Sequence, residues 1–135
     1  VGKEAQLKLF KVNPFTRCPF CGEWFPISES QDLKSIAIYS EFNSDNEYNL
    51  VLFGQRGSTV TIFGDFDYGT SKGFLIINKI DNKPIYLYDL EQFPENQWVT
   101  INSTEASNAK FNVYYRPYDN FKNNLASVKW NRWWK

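Results

Sequence analysis

Short runs of β-branched and aromatic residues recur along this chain, each ended within a few residues by Asn, Asp, Gly, Ser or Pro. That spacing describes strands joined by tight connections, and it leaves little room for helices. The runs predict about eight strands: Gln6–Val12, Ser35–Phe42, Tyr48–Phe53, Ser58–Phe63, Phe74–Lys79, Lys83–Tyr88, Trp98–Asn102 and Lys110–Tyr115. Between them lie Asn43-Ser44-Asp45-Asn46, Arg56-Gly57-Ser58, Tyr68-Gly69-Thr70 and Asp81-Asn82-Lys83-Pro84, residues that accept left-handed backbone or make local side-chain turns; the last reads as a hairpin bend. Phe111, Val113 and Tyr115 alternate with Lys110, Asn112 and Tyr114, the mark of a strand with one dry face and one wet face. The fold class is therefore all-β, an antiparallel β-sandwich of C2-like or jelly-roll-like kind.

One domain accounts for residues 1–135, because a chain of this length buries about two-thirds of its unfolded surface in one core. Two stretches lack strand pattern. Residues 13–31 contain Pro14, Pro19 and Pro26 and read as an ordered loop; residues 118–135 read as an aromatic, basic tail. With 15 basic and 15 acidic residues and no His, no global field favours nucleic acid or an anionic membrane. Apolar patches such as Ser35–Tyr39 and Gly73–Ile77 fall far short of a membrane span. The chain lacks Met altogether, so the expectation is a processed mature form or part of a longer protein, with its compartment open. Asn102-Ser103-Thr104 has the form of a glycosylation sequon, a triplet common by chance.

The absence of His removes the commonest general base, the usual partner of a Ser or Cys nucleophile, and the commonest catalytic-zinc ligand. Carboxylate-only hydrolysis survives that argument, with Asp65, Asp67 and Glu41 as its candidates. Exposed acids in turns are more often solvated charge, and a small sandwich seldom forms a deep cleft, so a non-enzymatic module is expected. Gly54-Gln55-Arg56-Gly57 lacks the Lys-Ser/Thr of a phosphate-binding loop, and a hairpin turn explains its glycines.

Cys18-Pro19-Phe20-Cys21-Gly22 has the spacing of half a zinc knuckle. Two thiols without His cannot complete a four-ligand site, so zinc would be shared with another chain. The alternatives are a redox pair, and a local disulfide or two packed thiols. Asp65 and Asp67 stand two apart at the end of a strand, a spacing that suits calcium as well as an ordinary turn. No cofactor is otherwise expected.

The segment Val60 to Leu75, with Asp65-Phe66-Asp67 after a strand and Phe74-Leu75 beyond it, resembles the calcium-loop region of C2 domains. The resemblance continues through Ile85 to Leu90 with Phe93, through Gln97-Trp98-Val99-Thr100-Ile101, and through Tyr115-Arg116-Pro117, covering about Val60 to Tyr118. It implies an eight-stranded sandwich that binds lipid headgroups or other proteins. Gly73 stands where calcium-binding members carry a further aspartate, Ile76 replaces the usual Gly, and Gly64 interrupts the strand before the loop, so a degraded calcium site is implied.

The last seven residues, Lys129-Trp130-Asn131-Arg132-Trp133-Trp134-Lys135, alternate indoles with cations. Such a segment suits a membrane interface, a nucleic-acid strand or a pocket on a partner, or else folds back as a final strand whose rings cover the sandwich edge. The leading expectation is an interaction or assembly module that engages a protein partner or a second copy of itself. A carbohydrate-binding module is the main alternative, with Trp98, Tyr114, Tyr118 and Trp130 as the platform and Trp133 and Trp134 beside it. Calcium-assisted membrane docking is the third.

Overall fold

The computed structural model describes residues 5–11, 24–29, 31–35, 48–87, 89–104, 108–119, 121 and 125–134. Among them nine strands form two antiparallel sheets: β1 (Gln6–Lys11), β2 (Trp24–Ser28), β3 (Tyr48–Phe53), β4 (Thr59–Phe63), β5 (Phe74–Lys79), β6 (Ile85–Leu87), β7 (Trp98–Ile101), β8 (Phe111–Arg116) and β9 (Ser127–Trp130). One sheet runs β2-β1-β3-β6 and the other β7-β8-β5-β4-β9, giving the expected sandwich. No helix among the described residues is long and apolar enough to cross a membrane.

The core lies between the sheets, where Leu7, Leu9, Leu50, Leu52, Ile62, Leu75, Ile77, Phe111 and Val113 are each fully buried. Burying one such side chain is worth about 1.5–3 kcal/mol, which fixes strand register because a slip by one residue would turn the whole set outward. On β8 the expected alternation is present: Phe111, Val113 and Tyr115 point inward, and Asn112, Tyr114 and Arg116 outward.

One strand lies where none was expected, and another takes up the fold-back reading of the tail. β2 falls within the Pro-rich stretch that reads as a loop, with Pro26 opposite Lys8. Among the described residues β2 is the outermost strand of its sheet and pairs on one side only, which tolerates a residue without N–H. β9 falls within the tail and pairs with β4, Val60 opposite Trp130 and Phe63 opposite Ser127. Its free side is covered by Leu33, which exchanges backbone hydrogen bonds with Val128 at 2.8 and 2.9 Å, and by Asp32, which accepts from the Trp130 N–H at 2.8 Å. Residues 36–42 of the expected strand Ser35–Phe42, residues 13–23 of the Pro-rich stretch with Cys18 and Cys21, and Glu41 lie outside the described residues.

The two connections read as hairpins are crossovers between the sheets. β3 and β4 belong to different sheets, as do β5 and β6, so Gly54–Gly57 and Asp81–Pro84 each carry the chain across the core. Turn residues suit a sharp reversal within one sheet or between two, so their chemistry alone does not separate the cases. The crossovers brace one another: Asn82 Oδ1 accepts from the Arg56 N–H at 2.8 Å, and the Ile80 carbonyl accepts from Arg56 Nε at 3.1 Å. Asp81 accepts from the N–H groups of Lys83 and Lys110. Burial would raise its pKa, but those bonds and the nearby Lys79 and Lys83 charges hold it below the usual carboxylate value.

Candidate functional site: an aromatic groove on the five-stranded sheet

β5 reads Phe74-Leu75-Ile76-Ile77, an unbroken apolar run, so both faces of that strand need cover. Leu75 and Ile77 face the other sheet. Phe74 and Ile76 face outward, yet are 8 % and 3 % exposed, and together with Phe63 they form a second buried cluster covered by Tyr68, Tyr114, Trp133 and Trp134. The outer cover comes from the end of the chain. Asn131 adopts left-handed backbone at φ 65° and donates its N–H to the Thr59 carbonyl, which turns the chain out of β9 and back over the outer face of its own sheet. Trp133 then lies 5.2 Å from the Phe63 ring and 5.4 Å from the Phe74 ring, the latter edge-on.

Strand register aligns the remaining groups. Trp98 lies opposite Tyr114, and Tyr114 opposite Ile76; one row along, Arg116 lies opposite Phe74. Trp98 and Tyr114 are 5.6 Å apart and tilted by 58°, Trp98 and Trp134 5.5 Å apart and tilted by 39°. A groove of about 530 Å³ opens between them, lined by Trp98, Tyr114, Arg116, Trp134, Thr70 and Ser71 above the floor of Phe74, Ile76 and Trp133. Trp98 remains 45 % exposed, so a ring face is available to a ligand.

Of the aromatic residues singled out in the sequence, Trp98, Tyr114, Trp133 and Trp134 therefore come together. Trp130 does not: it is 3 % exposed and points into the inter-sheet core, because it shares β9 parity with Val128 and not with Lys129. Tyr118 is 49 % exposed but lies outside the groove lining. The four-ring platform of Trp98, Tyr114, Tyr118 and Trp130 is thus not assembled, and the rings that do meet are mutually tilted. Phe74, Ile76, Thr70, Ser71 and Arg116 were not anticipated; the two-faced apolar run of β5 was the available signal for the first two.

The acidic turn forms the loop between β4 and β5, with one turn of 3₁₀ helix at Phe66–Tyr68. Asp65 caps that turn, accepting from the Phe66 N–H at 2.8 Å through one oxygen and from the Ser71 hydroxyl at 3.0 Å through the other. Asp67 sits in left-handed backbone and donates its N–H to the Lys34 carbonyl. Among the described residues no three His, Cys, Asp or Glu side chains come together as a metal site. The neck of the loop accounts for both glycines that depart from the C2 pattern. Gly64 donates to the Gly73 carbonyl at 3.0 Å; a Cβ on Gly64 would collide with the Lys72 carbonyl, and one on Gly73, at φ +81°, would come within 2.7 Å of the Arg116 carbonyl.

Beside the groove a polar row crosses the same face. Thr100 donates to Asn112 at 2.7 Å, Asn112 to Asn78 at 3.4 Å, Asn78 to Thr59 at 2.8 Å, and Thr59 to the Gly57 carbonyl at 3.1 Å. The face is thus divided into a polar half whose side chains hydrogen-bond one another and an open aromatic half. No family model matches the chain, and neither a curated protein nor a solved structure matches it.

Proposed function

We propose that this protein is a non-enzymatic interaction module that holds a segment of a partner protein in the aromatic groove on its five-stranded sheet. The observation that carries the reading is the convergence of Trp98, Tyr114, Trp134 and Arg116 on one open groove. Trp, Tyr and Arg dominate the energetics of protein interfaces, since each offers a large contact area with a polar handle. The tilts of 39° and 58° between neighbouring rings favour insertion of a side chain between walls over the flat stacking of sugar rings on a coplanar platform. A non-catalytic role is supported by the lack of His, and by an Asp65 carboxylate already engaged in capping its own loop.

The test is a selection of displayed short peptides on the intact protein and, in parallel, on Trp98→Ala. Enrichment on the first and its loss on the second is the expected result. Glycan-array binding with no peptide enrichment would replace this reading with the carbohydrate one.

A further inference from the structure

We infer that the groove selects an acidic segment, one in which a carboxylate stands beside an apolar side chain. The inference rests on the groove being the binding surface and names the chemistry of its occupant. Among the described residues Arg116 is the only charged residue that lines the groove, it is exposed, and it has no ion-pair partner there. It ends β8 next to Phe74, so its guanidinium rises from the sheet at the side of an apolar floor. A second cation flanks the far wall, with the Arg132 guanidinium 5.6 Å from the Trp134 ring and its Nε donating to the Trp134 carbonyl. Asp65, which accepts from the Ser71 hydroxyl of the lining, carries one hydrogen bond on each oxygen and belongs to its own loop.

An uncompensated guanidinium beside open rings is matched by a carboxylate, which it grips through two parallel hydrogen bonds, with an apolar neighbour lying between Trp98 and Trp134. The occupant has room to be extended. β7 is the last strand of its sheet, and its outer side is unpaired among the described residues, so a peptide can run alongside it and place alternate side chains over the groove.

The experiment sequences the peptides enriched on the intact protein, then measures one of them by fluorescence anisotropy against wild type, Arg116→Gln, Arg116→Lys and Lys110→Gln. Expected are enriched sequences carrying Asp or Glu next to Leu, Ile, Phe or Trp. Affinity should fall about tenfold on Arg116→Gln, less on Arg116→Lys and hardly on the distant Lys110→Gln, and should weaken as salt rises. Enriched neutral peptides indifferent to Arg116→Gln would overturn the acidic preference and leave the groove reading standing. No enrichment, with acidic oligosaccharides binding instead, would overturn both. Equal melting temperatures of wild type and Arg116→Gln ensure that a lost affinity is not a lost fold.

Discussion

Trp133 Nε1 donates a 2.7 Å hydrogen bond to Thr61 Oγ1, a hydroxyl with no exposed surface, and this bond pins the end of the chain across the outer face of the five-stranded sheet. The same indole packs on Phe63 and Phe74, so ring and bond act together. Trp133→Phe keeps most of the packing and strands the Thr61 hydroxyl, which should cost about 1 kcal/mol; Trp133→Ala also uncovers two aromatic rings and should cost about 3 kcal/mol. Urea unfolding measures both. No loss in Trp133→Phe would mean that the hydrogen bond contributes nothing, and equal losses in the two variants would mean that the ring packing does not.

The neck of the β4–β5 loop makes a second expectation. Gly73 needs left-handed backbone and lies close to the Arg116 carbonyl, so Gly73→Ala should destabilise by about 2 kcal/mol or more. Gly57 also has a positive φ, of 93°, but nothing lies within 4 Å of where its Cβ would be, so Gly57→Ala should cost about 1 kcal/mol from backbone strain alone. Thermal melts of the pair separate crowding from conformation, and equal losses would refute the crowding argument.

The alternation in Phe111 to Tyr115 and the run from Phe74 to Ile77 made the sheets legible from sequence, because period and composition report burial directly. Strand β2 was hidden by Pro26, whose penalty applies to a strand paired on both sides and not to one at the edge. Strand β9 was only one of several readings of the tail, because Lys129 and Arg132 give it a solvent-exposed look, although Val128 and Trp130 share one parity and both face the core. Lys129 is accommodated on the surface by Asp32 at 3.2 Å and by the Tyr68 ring at 4.5 Å. The groove was half legible. Four of its aromatic residues stand out in the sequence, but only register across three strands brings Arg116 beside Phe74 and Trp98 beside Tyr114.

The polar row from Thr100 to Thr59 should behave as a coupled unit. Each inner side chain both donates and accepts, so removing one leaves a half-satisfied neighbour. Asn78→Ala should cost about 1.5 kcal/mol, and Asn112→Ala about 1 kcal/mol. The double variant should cost less than their sum, since the first substitution already breaks the row. Strict additivity in a double-mutant cycle would show that the bonds act independently.

Stability in alkali should rise and then turn over, because two buried groups pull in opposite directions. Lys79 is 1 % exposed and donates from Nζ to the Lys83 carbonyl; burial lowers its pKa from the ordinary 10.5, with the Asp81 charge acting the other way. Between its folded value and 10.5 the unfolded chain therefore holds more protons, and stability increases with pH across that window. Tyr48 is buried and its pKa is pushed up from 10.0 to about 12, so between those values the folded state keeps a proton that the unfolded state has lost, and stability decreases with pH. Tyr115 adds to the same fall: burial raises its pKa, and the charges of Glu91, Glu95 and Asp89 raise it further. The melting temperature should thus climb towards about pH 10 and drop beyond it, in keeping with the model-compound values of lysine and tyrosine. Lys79→Met should flatten the rising limb and Tyr48→Phe should shallow the falling one, each without moving the other. A rising limb that persists in Lys79→Met would show that Lys79 is not its source.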